Sequence, residues 1–275
     1  MAPPAGRLLL VGCGKMGGAL LAGWLKGGTE ASDVLVVEPA PGARAALASD
    51  DKPQFVDDAK AIPADFAPAV VVFAVKPQTM DEAAPAYKRF AGPDTVFLSI
   101  AAGKTIGAFE RHLGGNAAIV RSMPNTPAAI GRGITVACAN GHVSAEQREL
   151  CGRLLEAAGE VAWVEYEGLL DPVTAVSGSG PAYVFLLAEA MAAAGAEAGL
   201  PPELAMRLAR ATVAGAGELM RRSDESAEQL RVNVTSPGGT TEAALKVLMA
   251  SEDGLPALMA RAVAAATRRS RELAG

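Results

Sequence analysis

Residues 7–17 read RLLLVGCGKMG: an apolar run, Arg7–Val11, followed at once by Gly12-Cys13-Gly14-Lys15-Met16-Gly17 and then by a helix-forming stretch to Lys26. A G-x-G-x-x-G string that leaves a strand and opens a helix is the dinucleotide-binding turn. Its first glycine permits the tight turn, its second lets the backbone approach a pyrophosphate, and its third lets helix and strand pack closely. The helix start adds free N–H groups and about half a positive charge for the anion.

Working outward, the first 165 residues alternate short β-rich runs with helical stretches. Strands are expected at Arg7–Val11, Val34–Glu38, Ala69–Val75, Thr95–Ile100, Ala118–Arg121, Thr135–Ala139 and Val161–Val164. Helices are expected at Gly17–Lys26, Pro41–Ser49, Thr79–Phe90, Thr105–Leu113 and Ser144–Ala158, the last with a Ser144/Gln147 capping box. The early strands are apolar throughout, as strands covered on both faces must be. The alternation predicts parallel βαβ units, hence an α/β fold with an N-terminal Rossmann doubly wound sheet. After residue 165 strand-like alternation stops. Pro181–Ala198, Pro202–Arg222, Thr241–Ala250 and Leu255–Leu273 read as helices, so residues 1–165 and 166–275 form an expected pair of domains, the second all-α. In Pro202–Arg222 the positions Leu204, Ala205, Leu208, Ala211, Thr212, Gly215 and Leu219 recur at helical spacing. The many alanines suit close packing, either between subunits or within a monomeric bundle.

Composition narrows the class. Of the 275 residues 50% are hydrophobic and 20% charged, which describes a globular chain, and its net charge of −5 disfavours a nucleic-acid partner. No apolar run reaches the roughly 18 residues of a membrane span, and Leu8–Val11 is too short for the core of a secretory signal. Cys13, Cys138 and Cys151 form no CxxC, which points to reduced thiols in the cytoplasm. With two histidines, no metal site is expected.

Glu38, at the end of the second strand, stands where a carboxylate can hydrogen-bond an adenosine ribose. That favours NAD over NADP, because a 2′-phosphate would meet like charge. Arg44 is near enough in sequence to offset this, and a solvated strand-end glutamate is the alternative. Familiar dehydrogenase acids are missing: Tyr87, Tyr166 and Tyr183 are followed four residues later by Ala91, Leu170 and Leu187, and no lysine lies between Lys104 and Lys246. His112 and His142 occupy ordinary helical or loop settings. Four loop-like strings stand out instead: AVKPQ (74–78), RSMPNTP (121–127), SGSGPAY (177–183) and VTSPGGTT (234–241). The last enters a helix with successive N–H groups unobstructed by side chains, a turn suited to gripping a small carboxylate through its backbone.

With SIAAG at Ser99–Gly103, these strings in this order give a chain that resembles, over nearly its whole length, the pyrroline-5-carboxylate reductase family. The resemblance implies an N-terminal Rossmann domain and a helical C-terminal dimerisation domain. It also implies reduction of the cyclic imino acid 1-pyrroline-5-carboxylate to L-proline, the last step of proline biosynthesis, by NADPH or NADH. The implied cofactor contacts are Val11, Gly12, Cys13, Gly14, Lys15 and Met16 at the pyrophosphate. Ala74, Val75, Lys76 and Pro77, then Ile100, Ala101 and Ala102, follow towards the nicotinamide, with Asn233 besides. Glu38 and Asp58 stand at the adenosine end, where relatives often carry asparagine in place of Asp58. The implied substrate residues are Glu167, Ser236, Gly239, Thr240 and Thr241, with Thr241 as the catalytic hydrogen-bond partner of the ring nitrogen. A homodimer or larger homo-oligomer is expected, with no nucleic-acid or membrane partner. Two other readings stand beside this one: an enzyme like the β-hydroxyacid dehydrogenases, which would need a lysine in the helical region, and a non-catalytic nicotinamide-binding regulatory protein.

Overall fold

The computed structural model describes residues 6–40, 42 and 53–274. The expected helix Pro41–Ser49 and Arg44 fall outside the described residues, Gly42 excepted. By their contacts the residues fall into two compact units, Met1–Gly178 with Ala266–Gly275, and Ser179–Ala265.

The first unit is built on one eight-stranded sheet, β1 (Arg7–Val11), β2 (Val34–Val37), β3 (Gln54–Val56), β4 (Pro68–Phe73), β5 (Val96–Ser99), β6 (Ala118–Met123), β7 (Gly133–Ala139) and β8 (Gly159–Trp163). Their spatial order is β3-β2-β1-β4-β5-β6-β7-β8. The direction of winding therefore reverses between β1 and β4, which is where open α/β sheets bind ligands. Successive side chains of one strand serve opposite faces. Leu8 and Leu10 join Leu20, Leu21, Trp24, Leu154 and Leu155 on one side. Leu9 and Val11 join Phe73, Met80, Phe97 and Phe109 on the other. Each such burial stabilises by about 1.5–3 kcal/mol, so the continuous apolar runs are what a two-faced sheet requires. Phe73 centres the second layer, with Tyr87 edge-on at 5.4 Å and Phe97 and Phe109 stacked at 6.1 and 5.5 Å.

Three expectations need correction. The sheet is not wholly parallel: β6 and β7 run antiparallel, Arg121 opposite Cys138. Their link, residues 124–132, holds only the 3-10 turn Thr126–Ile130 and a left-handed Gly131 at φ +67. A parallel crossover needs a dozen or more residues. The segment 79–90 is not one helix: a single α-turn, Met80–Ala83, lies between 3-10 turns Pro77–Thr79 and Ala84–Phe90. Pro85 has no N–H to continue an α-helical ladder. Strand β3 was not foreseen; at three residues it is too short to show a period.

Helix ends follow the sequence closely. Thr105 caps Ile106–Leu113 by accepting from the Ala108 N–H, and Ser144 and Gln147 form the expected capping box of Ala145–Glu156. In the second unit Gly180–Glu197 and Pro202–Arg222 pack together, close enough that a Cβ on Gly195 would sit 3.3 Å from that of Ala205. Two further helices follow, Ala227–Asn233 and Thr240–Leu248, and then Leu255–Ala274, which extends to the chain's described end. Ala227–Asn233 is capped by the Ser226 hydroxyl at Gln229; seven residues, mostly polar, left no amphipathic signal to read. Among the described residues, no helix is long and apolar enough to cross a membrane.

Candidate active site

The glycine turn sits at the carboxyl end of β1, tied on one side by Gly12 N–H to the Val37 carbonyl (2.9 Å) and on the other by Ala74 N–H to the Val11 carbonyl (2.8 Å). Each glycine does a different job. Gly12 holds φ +90, and a Cβ there would strike Val75 Cγ1 at 2.8 Å. A Cβ on Gly14 would meet nothing within 4 Å, so the approach to the backbone is open. A Cβ on Gly17 would collide with the Gly12 carbonyl oxygen and sit 3.0 Å from Ala74 Cβ. The helix Lys15–Lys26 opens with no side-chain cap and no acidic residue in its first turn. Its first N–H groups lack intrahelical acceptors, an arrangement that suits an anion.

Val11, Gly12, Gly14, Glu38, Asp58, Ala74, Val75 and Lys76 line one cavity of about 570 Å³, together with Thr79, Glu82 and Tyr87. A nicotinamide dinucleotide fits this chemistry: an open glycine backbone and an uncapped helix start for its phosphates, with a carboxylate at the end of β2. Glu38 is fixed by two backbone donors, Cys13 N–H at 2.7 Å to Oε2 and Ala40 N–H at 2.9 Å to Oε1. Asp58 caps its own turn, Oδ1 accepting from Lys60 and Ala61 N–H at 2.7 and 3.0 Å. Burial, and then the Glu38 charge, push the Cys13 thiol up to about 11. Lys15 and Met16 form the first helical turn, and Pro77 follows Lys76 at the start of its 3-10 turn.

The neighbouring strand ends are stitched to the same edge. Ile100 N–H donates to the Phe73 carbonyl (3.1 Å), Ala101 N–H to Ser99 Oγ (3.2 Å), and Ser122 Oγ to the Ser99 carbonyl (2.9 Å); Ala102 is exposed. Arg121, a buried charge in an apolar strand, donates from Nη1 to Oε1 of the half-buried Glu167 at 2.7 Å. The same oxygen accepts the Ile106 N–H at 2.7 Å. Glu167 thus joins the end of β6 to the helix that follows the Ile100–Thr105 loop, a role for Arg121 and Glu167 that the strings alone did not give. The SGSG string is not a plain loop: Thr174–Gly178 is a π-helical turn, and a Cβ on Gly178 would sit 2.5 Å from Met123 Cε. Such turns recur at functional sites.

In the second unit Ser236–Gly239 closes a turn, Gly239 N–H to the Ser236 carbonyl at 3.0 Å, with Pro237 and a left-handed Gly238 (φ +70) at its centre. The expectation that its N–H groups stand unobstructed is corrected at Gly238, whose N–H is taken by Glu242 Oε2. That bond and Lys246 hold the Glu242 carboxyl below its usual range. Thr240 and Thr241 open the following helix, whose first amides have no intrahelical acceptor. Asn233 is engaged by Gln229 Nε2 at 2.7 Å and donates to Glu225 Oε2 at 3.1 Å.

Comparisons with known proteins agree with this architecture. The model of pyrroline-5-carboxylate reductase dimerisation matches residues 167–273, and that of the coenzyme F420-dependent NADP oxidoreductases matches residues 7–103. A pyrroline-5-carboxylate reductase of Pseudomonas aeruginosa is 41% identical over 98% of this chain and 97% of its own, and one of Mycobacterium tuberculosis 38% identical over 97% and 96%. The solved structure of a pyrroline-5-carboxylate reductase from Coxiella burnetii superposes with a TM-score of 0.90 at 33% identity, covering 98% of this chain and 99% of that one. One from Plasmodium falciparum, solved with NADP bound, gives 0.80 at 28%, covering 99% of each. A glycine turn at the sheet's switch point, a helical second unit and full-length identity at this level agree: the chain belongs to the pyrroline-5-carboxylate reductase family.

Proposed function

We propose that the chain adds hydride to the imine carbon, C2, of 1-pyrroline-5-carboxylate (the carbon that becomes C5 of the product), giving L-proline, and that it uses NADPH or NADH. The observation that carries the reading is the cavity at the carboxyl edge of the sheet, where Gly12, Gly14 and the uncapped helix start offer backbone donors to a dinucleotide. Full-length similarity to named reductases supports the substrate. When bound, the reduced nicotinamide supplies the hydride. Val11–Met16 hold the pyrophosphate, Glu38 and Asp58 face the adenosine, and Ala74–Pro77, Ile100–Ala102 and Asn233 complete the contacts.

The substrate needs little activation, because an imine carbon is already electrophilic and becomes more so once its nitrogen is protonated. Orientation and exclusion of water are the chain's main tasks. Ser236, Gly239, Thr240 and Thr241 grip the carboxylate at the helix start Thr240–Leu248. The Thr241 hydroxyl accepts from or donates to the ring nitrogen; its acidity is too low for an independent general acid, so it positions and relays. Glu167 belongs to this machinery through Arg121 and Ile106.

The division at residues 165/166 is read as the passage from cofactor domain to substrate and dimerisation domain. The helical unit exposes Val184, Phe185, Leu186, Leu187, Leu204 and Leu219. Apolar surface of this extent supports a homodimer or larger homo-oligomer; a sedimentation mass equal to one chain at micromolar concentration would exclude it. Three unpaired cysteines fit the reducing cytoplasm. The functional test is incubation with synthetic 1-pyrroline-5-carboxylate and each reduced dinucleotide in turn. Loss of nicotinamide absorbance with stoichiometric proline is expected, and intact substrate under both conditions would refute the assignment.

A further inference from the structure

The last turns of the final helix, from Ala266 onward, belong to the unit built on the sheet. They read TRRSRELA (267–274), a run in which Arg268, Arg269, Arg271 and Glu272 are exposed while Ser270 is buried, 7% exposed. A serine inside a helix commonly bonds back to its own backbone, but this hydroxyl leaves the helix and donates to Asp171 Oδ1 at 2.7 Å. The other oxygen, Oδ2, has the Arg271 guanidinium at 3.8 Å, and the Asp171 side chain is 14% exposed. A carboxylate so enclosed needs partners of this kind.

Ser270 and Leu273 stand three residues apart and so share a helix face. Leu273 meets Gly103. A Cβ built on Gly103, which holds φ +73, would lie 3.5 Å from the Leu273 carbonyl oxygen and 3.6 Å from its Cβ, ordinary contact distances. The helix end therefore rests on the 100–105 loop. The exit of that loop is fixed by Glu167, whose Oε1 accepts the Ile106 N–H at 2.7 Å. Glu167 opens the turn Glu167–Leu169, which runs directly into Leu170–Val173, the short helix that carries Asp171. One short stretch, 167–171, thus holds both the loop's exit and the helix end packed on its middle. The tie on the outer side, Lys104 Nζ to Asp81 Oδ2 at 2.6 Å, has Asp81 58% exposed, and a surface pair of that kind holds little.

We propose that Ser270 and Asp171 are positioning residues for hydride transfer: their bond seats the last helical turn on Gly103 and so fixes the loop at the nicotinamide end of the crevice. The inference rests on the reading of Ile100–Ala102 as nicotinamide contacts and deepens it. Both residues act through Leu273 and Gly103 rather than on the reacting atoms. Loosening this seat should therefore divide binding from chemistry. The pyrophosphate is gripped at the glycine turn, on other strands, and keeps its contacts. The nicotinamide loses its fixed backing, and a shift of about 1 Å between reacting atoms can cost about a hundredfold in rate.

The experiment compares the full chain with Ser270→Ala, Asp171→Ala and Asp171→Asn. The kcat on pyrroline-5-carboxylate is measured per dinucleotide-binding site, the sites being titrated by NADPH fluorescence, so that unfolded molecules do not enter the value. Ser270→Ala and Asp171→Ala are expected to lower kcat about tenfold and to leave the dinucleotide KM within about twofold. Asp171→Asn, which keeps an acceptor for the Ser270 hydroxyl, is expected to restore most of the rate. An unchanged kcat in Ser270→Ala, or a loss that falls on the dinucleotide KM instead, would overturn the proposal. So would a loss in Asp171→Asn as large as in Asp171→Ala. If the unsubstituted chain reduces no imine, the activity assignment fails by itself. Hydrogen exchange read by mass spectrometry then decides the seat: faster exchange over 100–106 in Ser270→Ala, with 7–17 unchanged, sustains it, and equal exchange over 100–106 refutes it.

Discussion

Replacing Glu167 by alanine leaves the Arg121 guanidinium, with its side chain 6% exposed, without a carboxylate, and strips the Ile106 N–H of its acceptor. Removing one member of a buried pair costs about 3–5 kcal/mol. Glu167 itself is 30% exposed, so water relieves part of this and about 2–3 kcal/mol remains. The lost helix-start acceptor adds about 1 kcal/mol, for a total of about 3–4 kcal/mol. Arg121→Met leaves a carboxylate that water and the Ile106 amide still serve, and should cost about 1–2 kcal/mol. The double variant Arg121→Met/Glu167→Ala has no stranded charge. It should lose about 2–3 kcal/mol, less than Glu167→Ala alone, which means a coupling of about 2 kcal/mol. Urea unfolding followed by circular dichroism at one fixed protein concentration reads these values as midpoint shifts at constant slope. Effects that add to within about 0.5 kcal/mol would mean the pair is uncoupled, and an unshifted midpoint for Glu167→Ala would remove it from the scaffold.

The glycines of the turn should separate binding from stability. Gly14→Val projects into open space and should weaken dinucleotide affinity at nearly unchanged thermal stability, whereas Gly17→Val, against the Gly12 carbonyl and Ala74, should destabilise by about 2 kcal/mol or more; equal melting temperatures would contradict the distinction. Thr241→Ala should lower kcat on the imine far more than it weakens nicotinamide binding, and equal turnover would exclude Thr241 from the mechanism. Burial favours the neutral thiol of Cys13, so at pH 8 only about one in a thousand is thiolate, given a value pushed up to about 11. Iodoacetamide followed by mass spectrometry should therefore modify Cys13 in urea and spare it in the native protein, with reactivity rising only as pH approaches that value.

The sheet was legible because its signals are local and redundant. Leu8–Val11, Val34–Val37 and Val70–Phe73 are apolar without interruption, and each is followed by a turn whose glycines or prolines have one conformational use. The capping residues Thr105 and Ser144 were equally plain, since an N-cap is a matter of three or four neighbouring residues. What stayed hidden depends on partners distant in sequence. Nothing beside Arg121 in the chain announces Glu167, 46 residues on. The antiparallel return of β7 is set by the length of one link and by Gly131, a property that composition does not display. Gly238 shows a third limit: its sequence signals a turn with free amides, yet Glu242, four residues later, reaches back to occupy one.

Where a site is assembled from main-chain groups, side chains around it are free to vary until one of them acquires a structural duty of its own. Glu38 has such a duty. It closes the glycine turn through Cys13 and the strand exit through Ala40, so the carboxylate at the mouth of the crevice is also the group that holds the turn. A substitution at this position therefore acts on the turn itself. Serine is too short to accept from both amides, and the glycine turn loosens with it. Glutamine keeps the length but presents an N–H to one of two donors. Turn geometry thus hangs on one carboxylate, and replacing it without loosening the turn requires a compensating acceptor for the half-buried Cys13 N–H.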